Sequence, residues 1–284
     1  LTLPATGSES NAAAVVTRAA TREKRVFYAQ PVRPRFAILN PAVMASLPDR
    51  QLQNGLVDAF VHACEQYLTY PVGALVQDGY AEAVMRALKT LADTFDRRRE
   101  PDWAQNLMWA ANQALCGIFG VGVPQDWATH RLAVQLTALY DIDHGRTLSI
   151  IQPWLLREGI EPRRAKLEQL GRNVFGLAGA SAEDVIEALV AMYRRLAMPV
   201  HLSEAGVADA DAAERVLEAR RSGDAGDSLW QVYNVVQENL MRGGITYQSA
   251  RGRAMRTRRI GAIREDVRIN TGLWQAAAAL LEPA

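Results

Sequence analysis

From Leu52 the apolar positions recur through Leu56, Ala59, Phe60, Ala63 and Tyr67, and this helical period predicts a helix with Ser46 as its N-cap and Pro48 in its first turn. The same period predicts further helices near 75–96, 102–119, 126–140, 143–157, 161–174 and 182–197. Several starts carry the expected chemistry: Pro101-Asp102 opens one helix, Asp126 another, and Ser181 with Glu183 and Asp184 a third. Before residue 46 the texture differs. The runs Leu1 to Pro4, Ala14 to Thr17, Val26-Phe27-Tyr28 and Phe36 to Leu39 are short, β-branched or aromatic, and bounded by Pro and Gly, which predicts short strands. After about residue 205 come an alanine- and charge-rich helix from Asp209 to Arg221, a breaker from Ser222 to Gly226, an amphipathic helix from Leu229 to Met241, an arginine run and a final apolar helix. No repeat of solenoid period is present. The chain therefore divides into 1–45, 46–205 and 206–284, and its fold class is mainly α.

Composition narrows the class. At 284 residues, 49% hydrophobic and 22% charged, the chain is long enough for a core and resembles neither collagen nor a low-complexity segment. No apolar run reaches the roughly 18 residues of a membrane span, so no membrane partner is expected. Cys64 and Cys116 are far apart with no CxxC, which argues against a disulfide framework and against a thiolate zinc site. A reducing, cytoplasmic setting is the expectation. The formal charge of +1 exerts no long-range pull on nucleic acid. The sequence opens at Leu1 without an initiator Met or a charged-then-apolar leader, and a fragment is expected.

Candidate chemistry lies with the four histidines. Asp58 and His62 stand four residues apart on a predicted helix, placing a carboxylate and an imidazole on one face. This spacing suits half a metal site, but by itself it more often marks a surface pair. The otherwise apolar surroundings of His62, from Val57 to Ala63, favour a buried imidazole that needs a partner. His130 lies in the helix after Gly122-Val123-Pro124-Gln125-Asp126-Trp127, and His144 follows Asp141-Ile142-Asp143. If those two helices pack against the Asp58 helix, three imidazoles and a carboxylate can converge on Zn²⁺ or Fe²⁺, a borderline-to-hard donor set without thiolate. His201, after Pro199, is expected to be structural or solvated.

At these residues the chain resembles a known family. Thr2-Leu3-Pro4-Ala5-Thr6-Gly7-Ser8-Glu9, Gly55 to His62 with Glu65-Gln66-Tyr67, Gly122 to His130, and Asp143-His144-Gly145-Arg146-Thr147-Leu148 are similar to the iron-containing alcohol dehydrogenases. The branch they resemble is the NADPH-dependent butanol dehydrogenase and aldehyde reductase group. The likeness runs from residue 1 to about 205. It implies an all-helical metal-binding catalytic domain, of the fold shared with dehydroquinate synthase, preceded by a remnant of a nucleotide-binding domain. It implies Asp58, His62, His130 and His144 as ligands of Fe²⁺ or Zn²⁺, and Thr2, Thr6 and Lys24 as contacts to NADPH. From the residues alone, Thr6-Gly7-Ser8 suits a simple turn and Lys24 a solvated charge. The implied reaction is metal-assisted hydride transfer between a reduced nicotinamide and a small aldehyde, forming a primary alcohol, in a homodimer. A dehydroquinate synthase-like enzyme is the rival within the fold, and Pro124-Gln125-Asp126-Trp127 points to the reductase branch.

Two departures accompany the likeness. Family members carry a glycine-rich phosphate-cradling turn in a long segment before the position of Leu1; the sequence has no such turn, and Gly117 to Gly122 falls in a predicted helical region with other spacing. Many members also carry a histidine one turn after the position of His130, where this chain has Val134. Activity impaired by truncation is therefore expected.

The segment from about 206, above all Leu229 to Gly244 and Arg264 to Trp274, is similar instead to the end of a phage- and plasmid-borne family of unknown function. A chimeric, non-enzymatic product with a helical metal-binding part is the alternative reading. Arg251, Arg253, Arg256, Arg258, Arg259, Arg264 and Arg268 could neutralise nucleic-acid phosphates, but Glu265 and Asp266 dilute the charge and only Tyr247 and Trp274 offer stacking surfaces. A solvated face is the simpler expectation.

Overall fold

A computed structural model of the chain describes residues 3–18, 20 and 23–207. The expected helices from Asp209 onward, the arginine run and all but the first two residues of the 206–284 division lie outside the described residues, as does Thr2.

Among the described residues seven α-helices form the body: α1 (Asp49–Tyr67), α2 (Leu75–Asp93), α3 (Pro101–Leu115), α4 (Ala128–Tyr140), α5 (His144–Glu158), α6 (Ile160–Leu170) and α7 (Ala182–Arg195). Helix α1 is the centre. Every residue from Asn54 to Tyr67 is buried, because α2, α3 and α5 pack around it. A helix enclosed this way reads as apolar on all sides, and the polar residues it carries inward, Asp58, His62, Glu65 and Gln66, need internal partners. A second, smaller core of Leu132, Leu136, Ile150, Ile151 and Leu155 joins α4 to α5.

Helix starts follow local chemistry. Ser181 and Asp184 form a reciprocal capping box at α7, the Ser181 hydroxyl accepting from the Asp184 N–H at 3.2 Å and the Asp184 carboxylate from the Ser181 N–H at 3.0 Å. Asp126 precedes α4 by two residues and accepts the Ala128 N–H at 3.0 Å. Ser46, by contrast, does not cap α1. It ends a 3₁₀ turn over Pro41–Ser46 that is opened by the Asn40 side chain, and Pro48 occupies the N-cap. Helix α3 stops at Leu115 rather than 119, since Gly117 takes a left-handed φ of 91°. Gly117 to Gly122 is thus a loop.

Ahead of the helices, β1 (Ala13–Arg18) and β2 (Glu23–Tyr28) pair antiparallel with Ala13 opposite Tyr28. Phe36 to Leu39 forms no strand: Phe36 and Ile38 are each 83% exposed, and extended-chain composition alone does not supply a pairing partner. Leu3 to Thr6 is a run of bends. Among the described residues no helix is long and apolar enough to cross a membrane, and Cys64 and Cys116 are both free and buried.

Candidate metal centre

Asp58, His62 and Glu65 occupy positions i, i+4 and i+7 of α1 and share one face. His130 projects from the first turn of α4, and His144 is the first residue of α5. The helices meet closely for a reason visible in the backbone. A Cβ on Gly145 would lie 2.5 Å from the Asn54 carbonyl oxygen, so only glycine lets the first turn of α5 rest on α1. Asp143 locks that contact by accepting from Arg50 at 2.6 Å and Asn54 at 2.8 Å. His144 is thereby held beside Asp58.

Three of the four side chains form one group of ligand atoms, and His62 stands against Asp58 outside it. Asp58, His130 and His144 each offer one ligand atom within 4.8 Å of the others. The Asp58 Oδ1 atom lies 3.3 Å from His130 Nε2, 3.7 Å from His62 Nδ1 and 3.9 Å from His144 Nε2. The His62 and His130 rings stack with centroids 4.3 Å apart, and Trp127 tilts against both. The Nδ1 atoms of His62 and His144 are buried with no hydrogen-bond partner.

Electrostatics sort the imidazoles. Burial lowers the pKa of His62 to about 4 and that of His144 to about 3, each against the pull of Asp58, so both are neutral bases at neutral pH. His130 differs: burial opposes its charge, but Glu65 and Asp58 outweigh it and raise its pKa to about 9. For Asp58, burial works upward, and the imidazoles around it prevail and hold its carboxyl below the usual range.

These residues fit a divalent cation. Two neutral imidazoles flank an ionised carboxylate, His62 through its buried and unpartnered Nδ1 and His144 through Nε2, and a third imidazole reaches the same oxygen; such a set is costly to bury without a partner and suits Zn²⁺ or Fe²⁺.

Other expected site residues lie around this cluster. Lys24, half-buried on β2, has its pKa lowered by burial and feels the Asp58 charge; its own charge in turn helps lower that of His144. Thr6 is exposed on a turn pinned to the end of α3 by the Asn11 side chain, which donates to the Thr6 carbonyl at 2.8 Å and the Leu115 carbonyl at 3.3 Å. That segment touches the cluster through Ala5, whose backbone hydrogen-bonds His62. Val134 is buried on α4. His201 is exposed against Trp154, with ring centroids 5.8 Å apart.

Sequence reasoning passed over Glu65. It is buried, faces His130, and accepts the Thr129 N–H at 2.7 Å and the His130 N–H at 3.3 Å. Its place on the Asp58–His62 face was the available signal. Beside it Arg163 is buried and paired with Asp126, and donates to the Leu68 carbonyl at 3.1 Å and the Gly159 carbonyl at 2.8 Å.

Helical architecture and cluster together define a class. A sequence model of the Fe-containing alcohol dehydrogenase family, C-terminal, matches residues 53–226, and the chain belongs to that family. It is 46% identical over 214 residues to the NADPH-dependent aldehyde reductase YqhD of Escherichia coli, covering 73% of this chain and 55% of that protein. The crystal structure of E. coli YqhD superposes with a TM-score of 0.76 at 42% identity, covering 78% of this chain and 58% of that one. An NADH-dependent butanol dehydrogenase A from Thermotoga maritima gives 0.71 at 30% identity, covering 77% and 56%. The chain spans about half the length of the curated relatives it matches. A separate match of 67 residues, 40% identical, is to the UPF0380 protein YafZ of E. coli and covers 24% of each chain.

Proposed function

We propose that this chain is the metal-binding catalytic part of an NAD(P)H-linked oxidoreductase that interconverts small aldehydes and primary alcohols, and that Asp58, His62, His130 and His144 hold its Fe²⁺ or Zn²⁺. The observation that carries the reading is the grouping of Asp58, His130 and His144 ligand atoms within 4.8 Å of one another, with His62 Nδ1 buried, unpartnered and 3.7 Å from Asp58 Oδ1. A divalent cation at such a site supplies Lewis acidity toward a carbonyl oxygen.

The chain's own residues do the rest by placement. The helices fix the donors before any ligand arrives, so little reorganisation accompanies binding. Lys24 brings a cation toward the open side near His144, where an anionic cofactor group would be attracted. The turn bearing Thr6 is anchored by Asn11, and a hydroxyl held there suits a ribose or phosphate contact. NADPH rather than NADH follows the name of the E. coli relative. Val134 leaves that position on α4 without a titratable group.

A second reading has its own support in the separate 67-residue match, 40% identical, to the UPF0380 protein YafZ. Under it the chain is a helical metal-binding unit without turnover. NADPH oxidation with butyraldehyde by the metal-loaded full chain separates the two. Turnover abolished in His130→Ala supports the oxidoreductase; one bound cation per chain with no turnover supports the alternative.

A further inference from the structure

We propose that Glu65 is a positioning residue that sets the tautomer and aim of His130 while capping the helix that carries it. The inference rests on the reading that Asp58, His62, His130 and His144 hold a cation.

The Glu65 carboxylate is shared between two tasks by its two oxygens. Oε1 accepts the backbone N–H groups of Thr129 at 2.7 Å and His130 at 3.3 Å, in the first turn of α4. There a negative charge meets otherwise unpaired donors at the positive end of the helix. Oε2 hydrogen-bonds His130 Nδ1. The Glu65 backbone carbonyl also accepts the Asp126 N–H at 2.8 Å, so the approach to α4 is tied to the same residue.

On the far side of the ring, His130 Nε2 lies 3.3 Å from Asp58 Oδ1. His130 thus stands between two buried carboxylates, neither of which can donate when ionised. An imidazole that ligates through one nitrogen must carry its remaining proton on the other. With Nε2 turned toward Asp58 and the cation, the proton belongs on Nδ1, where Glu65 Oε2 accepts it. Glu65→Gln breaks this assignment. If the amide oxygen stays on the Thr129 and His130 N–H groups, its NH₂ donates to Nδ1 and drives the proton to Nε2. If the amide flips, its NH₂ confronts two backbone donors.

The test uses the full 284-residue chain and Zn²⁺, with affinity read by chelator competition and helix content by circular dichroism. E65Q is expected to keep its helical spectrum and lose about 10- to 100-fold in Zn²⁺ affinity, the range for removing such an outer partner. In an H130A background the same substitution should cost nothing further. Unchanged affinity in E65Q, or an equal added loss in the H130A background, overturns the inference and leaves the ligand set standing. Should E65Q fail to fold, ¹⁵N NMR of the Zn²⁺-loaded wild-type chain decides. Metal on Nε2 with a proton on Nδ1 of His130 is expected, and metal on Nδ1 overturns the proposal. A wild-type chain that binds no Zn²⁺ overturns both the inference and the ligand set.

Discussion

The helical body and the β-hairpin ahead of it satisfy their side chains in opposite ways. Helix α1 buries every residue from Asn54 to Tyr67, and Glu65 and Gln66 find partners on other helices while His62 Nδ1 has none. Strands β1 and β2 form a two-stranded ribbon whose Val15, Val16, Val26, Phe27 and Tyr28 stay exposed. A two-stranded ribbon has no inner layer, so its apolar residues add little stability by themselves. The helices carry the core and the candidate cation ligands, while the N-terminal segment contributes Lys24 and Thr6 from the rim. The lesson is that the proposed cation site and the proposed cofactor contacts draw on different stabilities within one chain.

Substitutions separate the two regions. The largest effect is expected at Arg163: Arg163→Ala leaves Asp126 buried without its partner and should destabilise the helical body by about 3–5 kcal/mol in urea denaturation. Next comes Gly145→Ala, whose methyl would collide with the Asn54 carbonyl; a loss of about 1–3 kcal/mol is expected, together with weaker cation binding as His144 is pushed from Asp58. Gly55→Ala sharpens the contrast. Its methyl would meet the Pro4 carbonyl at 2.5 Å, so limited proteolysis should show the segment around Thr6 cut faster. Phe27→Ser on the hairpin should change the urea midpoint by no more than about 0.5 kcal/mol equivalent while lowering aggregation, since its ring is 45% exposed.

The smallest effect is electrostatic. Glu204 accepts the Val200 N–H at 2.8 Å and pairs with Arg194 at 2.6 Å; although burial works the other way, these partners depress its pKa. A carboxyl with a depressed folded-state pKa contributes stability above its unfolded pKa and loses it as pH falls through the folded value. Glu204→Gln should therefore lower stability slightly at neutral pH, leave it almost unchanged at low pH, and so flatten the acid limb of the stability profile.

The regions also differ in how far the sequence disclosed them. The helical period located all seven helices within a few residues, because each buries a broad apolar stripe, and the spacing of Asp58 and His62 put both on one face. The approach of α5 to α1 was not legible: it depends on Gly145 against Asn54, residues 91 apart in sequence, and on Asp143 reaching Asn54. Glu65 was hidden for the same reason, since its partners Thr129 and His130 belong to another helix. The strand pattern misled at Phe36 to Leu39, where β-branched and aromatic residues form no strand pairing. Ser46 looked like a cap, yet Pro48, fixed in φ, starts the helix.

The central claim is that Asp58, His62, His130 and His144 hold one divalent cation. Metal analysis of the full chain after loading with Zn²⁺ and removal of excess tests it most directly. One tightly held Zn²⁺ per wild-type chain, lost in Asp58→Ala and held far more weakly in His130→Ala with the helical spectrum retained, is the expected result. Full Zn²⁺ occupancy in either variant, or none in the wild-type chain, would contradict the account.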